Sequence, residues 1–276
     1  MNIVQSIILG VIQGITEFFP VSSSGHMVIL PYLFGWDYQP LYFAVTVHFA
    51  TLAAVITIFY RDIYEILKAL VLGIFKREQR NSNNFKTGIF LIVATIPAAI
   101  VGFLLDDYVE NLFSEPLIVA AFLIITALFL VYSEMRGKRI ETSKVDFNLF
   151  IATMTGIGQA LAILPGLSRS GTTISFARFF GVRRDEAVRF SFLLSVPIIF
   201  GSFIFEISRS SDIIFSGGPE VVQGLIAGFI SAYLAGLFAI KFMVKIVKKR
   251  NLNVFAIYCT CLAVVVFIFY IINRFM

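Results

Sequence analysis

Charge is what this chain has least of. Only 14% of its 276 residues are Asp, Glu, Lys or Arg, and 58% are apolar. An average soluble domain has about 25% charged and roughly 45–50% apolar residues. With a mean hydropathy of +0.89, a soluble fold is excluded and an integral membrane protein is implied. The apolar runs lack the period-2 alternation of a transmembrane strand, which excludes a barrel. Backbone groups in hydrocarbon must then be satisfied inside helices. Cysteine is scarce as well: Cys259 and Cys261 are the only two. Their two-residue spacing on one helix turns them to different faces, which argues against a disulfide or metal pair and for small core residues. Residues 1–10 carry no basic n-region and no small-residue cleavage site, so the N-terminus reads as mature protein.

The little charge present marks the two sides of the membrane. Residues 41–60, 86–105, 117–133, 186–205, 221–244 and 252–273 are spanning candidates, each close to the roughly 20 residues that cross hydrocarbon. Segment 61–86 holds six Lys/Arg, 134–146 four and 241–250 five, whereas 106–116 has none and 206–220 only Arg209. The acidic segment 106–116 carries Asp106, Asp107, Glu110 and Glu115. The positive-inside rule places the basic segments in the cytoplasm and the other two outside. The net charge of +5 is thereby explained by topology, and no nucleic-acid partner is called for.

The strongest signal is a repetition. Residues 10–35 and 156–181 align without a gap at an offset of 146, matching Gly10 with Gly156, Gln13 with Gln159, Ser22 with Ser168, Ser24 with Ser170, and Gly25 with Gly171. Each copy is broken by a proline, Pro20 or Pro165, and a Ser/Gly turn. The pattern is helix, polar turn, helix, which suits a re-entrant hairpin lining a protected cavity. Three spans separate the copies, and an odd number reverses direction. The expected fold is therefore an all-α integral membrane protein with an inverted-topology repeat, about six spanning helices and two re-entrant hairpins. It forms one polytopic domain over 1–276, with repeats at about 1–133 and 147–276.

The polar groups concentrate in those turns. Gln13 and Glu17 are four apart and share a helical face. Glu17 sits among apolar neighbours and needs a cation; Arg169 is the one charge of the second turn. Intramembrane ionisable residues read as functional by default. A bare ion pair pinning the hairpins together would not call for Ser22, Ser23, Ser24, Ser168, Ser170, Thr172 and Thr173 around it. Hydroxyls, helix N-termini and a forked guanidinium together suit an oxyanion, most simply phosphate. His26 follows the first turn as a candidate acid, base or nucleophile. His48 reads as an interhelical hydrogen-bonding residue. Arg178, Arg183, Arg184 and Arg189 read as snorkelling cytoplasmic anchors, with Arg189 the least typical.

These motifs resemble the undecaprenyl-diphosphate phosphatase family of the bacitracin-resistance type. Its (Glu/Gln)-x-x-x-Glu motif falls on Gln13 and Glu17, its Ser-Gly-His turn on 22–26, and its Pro-Gly-x-Ser-Arg-Ser-x-x-Thr motif on 165–173. The resemblance implies hydrolysis of a C55 polyprenyl diphosphate lipid to the monophosphate, a multi-pass protein of the bacterial plasma membrane, an outward-facing site and bacitracin resistance. It also suggests a homodimer. Glu17, Ser23, His26 and Arg169 are the catalytic candidates. Gln13, Ser22, Ser24, Gly25, Ser168, Ser170, Gly171 and Thr173 are the phosphate-binding ones. Water, Ser23 and His26 all stand as nucleophiles. No cofactor is demanded, although a divalent cation, Mg or Ca, could bridge Glu17 and the phosphates. A polyprenyl-phosphate flippase using the same inverted repeat is the competing class.

Overall fold

The structure is a computed structural model that describes residues 2–37, 40–140, 145–216 and 218–275. For Leu41, 106–107, 110, 138–140 and 206–216 it describes the backbone alone. The side chains of Asp106, Asp107, Glu110 and Arg209, expected outside, and of Lys138, Arg139 and Lys144, expected in the cytoplasm, therefore lie outside what is described.

Every regular element among the described residues is helical. The chain runs α1 (Ile3–Thr16), α2 (Ser23–Phe34), α3 (Leu41–Phe75), α4 (Asn83–Leu112), α5 (Pro116–Ile140), α6 (Leu149–Leu161), α7 (Arg169–Phe179), α8 (Arg184–Ser216), α9 (Pro219–Ile246) and α10 (Asn253–Phe275), with a short 3-10 turn at Arg77–Asn81. Six of these, α3, α4, α5, α8, α9 and α10, are long and apolar enough to cross a membrane. They turn large side chains such as Phe103, Ile100, Leu234 and Ile257 outward, a surface that water would not tolerate but lipid matches.

The helix lengths repeat in order. They are 14, 12, 35, 30 and 25 residues from α1 to α5, then 13, 11, 33, 28 and 23 from α6 to α10. At 1.5 Å per residue the short helices reach only about 16–21 Å, too little for a core of about 30 Å, as a helix that enters and turns back requires. Packing is exchanged between the halves: α1 lies mainly on α9, and α6 lies mainly on α4. The matched glycines make both crossings. A Cβ on Gly10 would stand 2.5 Å from Gly228 O on α9, and one on Gly156 would stand 2.7 Å from Ala94 O on α4. Each glycine lets two helix backbones meet where any larger residue would hold them apart.

The expected spans correspond to the six long helices, with one correction. Helix α3 does not end near Tyr60 but bends at Phe59 (φ −104°, ψ 21°) and continues to Phe75. Its continuation is amphipathic: Ile66 and Ala69 are buried and Ile63 and Leu70 pack on the same core, at the 3–4 residue spacing of one helical face. The cysteines also part company, since Cys259 is buried and Cys261 is exposed.

Candidate active site

The first turn begins where α1 ends, with Glu17 at its C-cap. Gln13, one helical turn back, donates from Nε2 to Glu17 Oε2 at 2.9 Å. The chain then passes Pro20 and reverses at Ser22, whose φ of +68° is the one left-handed value at a non-glycine described residue. That conformation carries strain and aims Ser23 back at the helix it came from. Ser23 Oγ donates to Glu17 Oε2 at 2.6 Å.

The second turn supplies the cation. Arg169, first residue of α7, donates from Nη2 to Glu17 Oε1 at 2.5 Å, and its Nη1 donates to Ser191 O on α8 at 3.1 Å. The two turns touch elsewhere too: Ser170 Oγ donates to Phe19 O at 3.1 Å. A Cβ on Gly25 would stand 3.4 Å from Gly166 Cα. Two segments about 146 positions apart thus close on one buried carboxylate. Glu17 is only 5% exposed at its side chain and Arg169 14%.

The matched serines do matched work. Ser22 Oγ accepts from Gly25 N at 3.1 Å, and Ser168 Oγ accepts from Gly171 N at 3.0 Å. Both are N-caps, which fixes the first turns of α2 and α7 and leaves their outermost N–H groups without intrahelical acceptors. Ser24 Oγ lies 3.2 Å from Ser22 Oγ, and Ser170 Oγ lies 3.2 Å from Ser168 Oγ. Thr172 Oγ1 turns back to Ser168 O in a short contact. Thr173 Oγ1 donates to Arg169 O at 2.8 Å and lies 2.7 Å from Ser191 Oγ.

His26 is placed apart from the carboxylate group. Its Nδ1 is 2.7 Å from Ser22 O; since a carbonyl only accepts, Nδ1 carries the hydrogen. The neutral ring then offers Nε2 as an acceptor, and Tyr258 Oη supplies the donor at 2.7 Å. Both ring nitrogens are occupied.

Four residues with no motif around them complete the site. Thr126 on α5 donates to Gly166 O at 3.0 Å and accepts from Ser168 N at 3.0 Å, so it moors the second turn. Ser191 moors Arg169 and Thr173, and Tyr258 moors His26. The fourth is His48. Its Nδ1 bonds Ala44 O within α3 at 2.8 Å, in place of the interhelical bond expected, and its Nε2 stands 3.5 Å from Glu17 Oε2. The signal that could have found it is the rarity of an intramembrane ionisable group.

The arginines beside the second hairpin divide. Arg184 grips buried Glu134 of α5 through Nε at 2.9 Å and Nη2 at 2.6 Å. Arg178, itself 1% exposed, brings Nη2 to 3.6 Å from the same carboxylate. These two are not snorkelling anchors, because Glu134 gives them an internal counter-charge. Arg183 stays exposed with Asp185 at 3.1 Å, and Arg189 reaches Asp62 on the continuation of α3.

A divalent cation finds a poor host here. Glu17 is the one carboxylate at the turns, and both its oxygens already accept hydrogen bonds. Among the described residues no cluster of three or more His, Cys, Asp or Glu is placed to hold a metal ion. Mg and Ca ask for several oxygen ligands, and the donor set does not fit a resident ion.

A multi-pass membrane protein in which two polar helix turns close on a buried Glu–Arg–Ser group is what these features define. The chain belongs to the family described as bacitracin resistance protein BacA, whose model matches residues 6–265. It is similar to undecaprenyl-diphosphatase 1 of Shouchella clausii, with 37% identity over 271 residues, covering 98% of this chain and 97% of that one. The undecaprenyl-diphosphatase of Methanosphaera stadtmanae is 39% identical over 277 aligned positions, 97% of this chain and 98% of the relative. That of Treponema denticola is 39% identical over 261, 94% of each.

Proposed function

We propose that this protein is a membrane phosphatase that hydrolyses undecaprenyl diphosphate to undecaprenyl phosphate and inorganic phosphate, recycling a cell-wall carrier lipid and conferring bacitracin resistance. The name the relatives share supports the substrate, and one observation carries the chemistry: Ser23 Oγ donates to a carboxylate that Arg169 holds in place. In this reading Glu17 is the base and Ser23 the nucleophile on the terminal phosphorus, ahead of water or His26, because Ser23 alone of the serines bonds to Glu17. Gln13 orients the carboxylate. Arg169, the hydroxyls of Ser24 and Ser170, and the first-turn N–H groups of α2 and α7 bind phosphate oxygens and stabilise charge on the transferred phosphoryl group. Ser22 and Ser168 shape those turns as caps, Gly25 and Gly171 keep them close, Thr173 steadies Arg169, and His26 braces the first turn through Tyr258. A cation that the reaction uses arrives on the diphosphate and not on Glu17.

The repeats run over about 1–133 and 147–276 in one domain, their hairpins enter from opposite faces of the plasma membrane, and the site opens outward. A homodimer completes the reading. Phosphate release from undecaprenyl diphosphate by purified protein in detergent tests the activity, beside Glu17→Ala and Arg169→Ala. Full release by both variants would sink the site assignment, and lipid movement in vesicles without release would point to a flippase instead. Single cysteines at Glu115 and Lys249, in a chain without Cys259 and Cys261, should label from opposite sides of intact cells. Cross-linking in membranes tests the dimer.

A further inference from the structure

We propose that His48 takes from Glu17 the proton that this carboxylate removes from the nucleophile, and that it is the point where the proton leaves the site. The inference rests on the phosphatase reading above. Its basis is which atom faces which. Ala44 O accepts from Nδ1, so the ring hydrogen of neutral His48 sits on Nδ1 and Nε2 presents a lone pair. That lone pair faces Glu17 Oε2 at 3.5 Å. Two acceptors so placed gain nothing from each other until a proton comes between them. Oε2, moreover, is the oxygen to which Ser23 Oγ donates, while Arg169 occupies Oε1. A proton taken from Ser23 therefore lands on the oxygen that His48 faces.

The step balances. Ser23 Oγ bonds to the terminal phosphorus as the bond from that phosphorus to the bridging oxygen breaks, and the electron pair leaves on the lipid monophosphate. The hydroxyl proton goes to Oε2 and then to Nε2, restoring the carboxylate that Arg169 pairs with and leaving an imidazolium. Water then hydrolyses the phosphoserine, returning one proton through Glu17 to Ser23 Oγ and keeping the other on the released phosphate. One proton is left over, the first. Its holder should lie nearer the protein surface than the carboxylate, and the His48 side chain is 32% exposed against 5% for Glu17. His26 cannot do this, having both nitrogens bonded to Ser22 and Tyr258.

The role is to serve Glu17 and not to touch substrate, so the expected signature falls on kcat. His48→Gln keeps a polar side chain but cannot carry a proton; its kcat should fall about a hundredfold, the low side of acid–base contributions, with KM near wild type. His48→Ala should regain much of the lost rate in added imidazole. Thermal unfolding in detergent checks that both variants fold. A reading independent of turnover comes from the 15N spectrum of the two histidines: Glu17→Gln should shift the Nε2 signal of His48 and leave that of His26. Unchanged kcat in both variants, no rescue by imidazole in a folded His48→Ala, or a His48 signal indifferent to Glu17 would overturn the proposal. A wild-type protein that releases no phosphate while the two signals stay coupled would instead overturn the phosphatase reading, and this one with it.

Discussion

Glu17 Oε1 and Arg169 Nη2 lie 2.5 Å apart although 152 positions separate them in the chain. The pair is at once the bond between the two turns and the electrostatic centre of the site, and the two roles can be separated. Removing one partner strands a buried charge, at a cost of about 3–5 kcal/mol. Glu17→Gln and Arg169→Gln should each lower the unfolding temperature and abolish phosphate release. The double variant has no stranded charge; it should regain most of the thermal stability and none of the activity. Stability and activity returning together would mean that the pair only pins the fold.

Ser23 and His26 stand three residues apart but answer to different partners, Glu17 and Tyr258. Ser23→Ala should lose about 10²–10⁴-fold in kcat, and a trapped phospho-enzyme should carry its label on Ser23. Tyr258→Phe should resemble a mild His26 variant, losing less than Ser23→Ala, because only the brace of the first turn is loosened. Label on His26 would reverse the two roles.

The strained backbone at Ser22 makes a stability forecast that activity does not enter. Ser22→Ala loses the cap on Gly25 and keeps the φ of +68°. Ser22→Gly loses the same cap but relaxes the strain, so it should be the more stable of the two by about 1 kcal/mol or more. At Ser168, where φ is −68°, the gap between Ala and Gly should be only that of the cap. Melting curves of the four variants give the comparison.

Glu134 lies with Arg178 and Arg184 and accepts from Leu252 N at 3.3 Å, tying α5 to α7, α8 and the start of α10. Glu134→Ala should destabilise by about 3–5 kcal/mol while the folded protein, assayed in the cold, keeps a kcat near wild type. A specific loss of kcat at full stability would show that this cluster belongs to the chemistry.

Sequence carried the architecture because lipid imposes a coarse rule that any apolar run of the right length obeys. The six spans, the repeat and the two polar turns were all legible from it. The continuation of α3 was not, since Arg61, Asp62, Glu65 and Lys68 hide the apolar face of Ile63, Ile66 and Ala69. Within the turns, Gln13, Glu17, Ser23 and Arg169 were legible as one group because the spacing and the lone cation leave few partners. Ser191, Thr126, Tyr258 and Glu134 were not: each lies on a long helix with unremarkable neighbours, and its importance comes from what another helix brings against it. His48 fell between the two cases, visible as an oddity but with no indication of what it faces.

The exchange of packing partners, α1 on α9 and α6 on α4, has a bearing on ancestry. Neither half covers its own first short helix, so a chain of half this length would have left much of α1 or α6 unpacked. It would have needed a second copy inserted upside down in the same bilayer. Joining two such copies end to end would have left each free to diverge, one keeping the acid and the hydroxyl, the other the guanidinium.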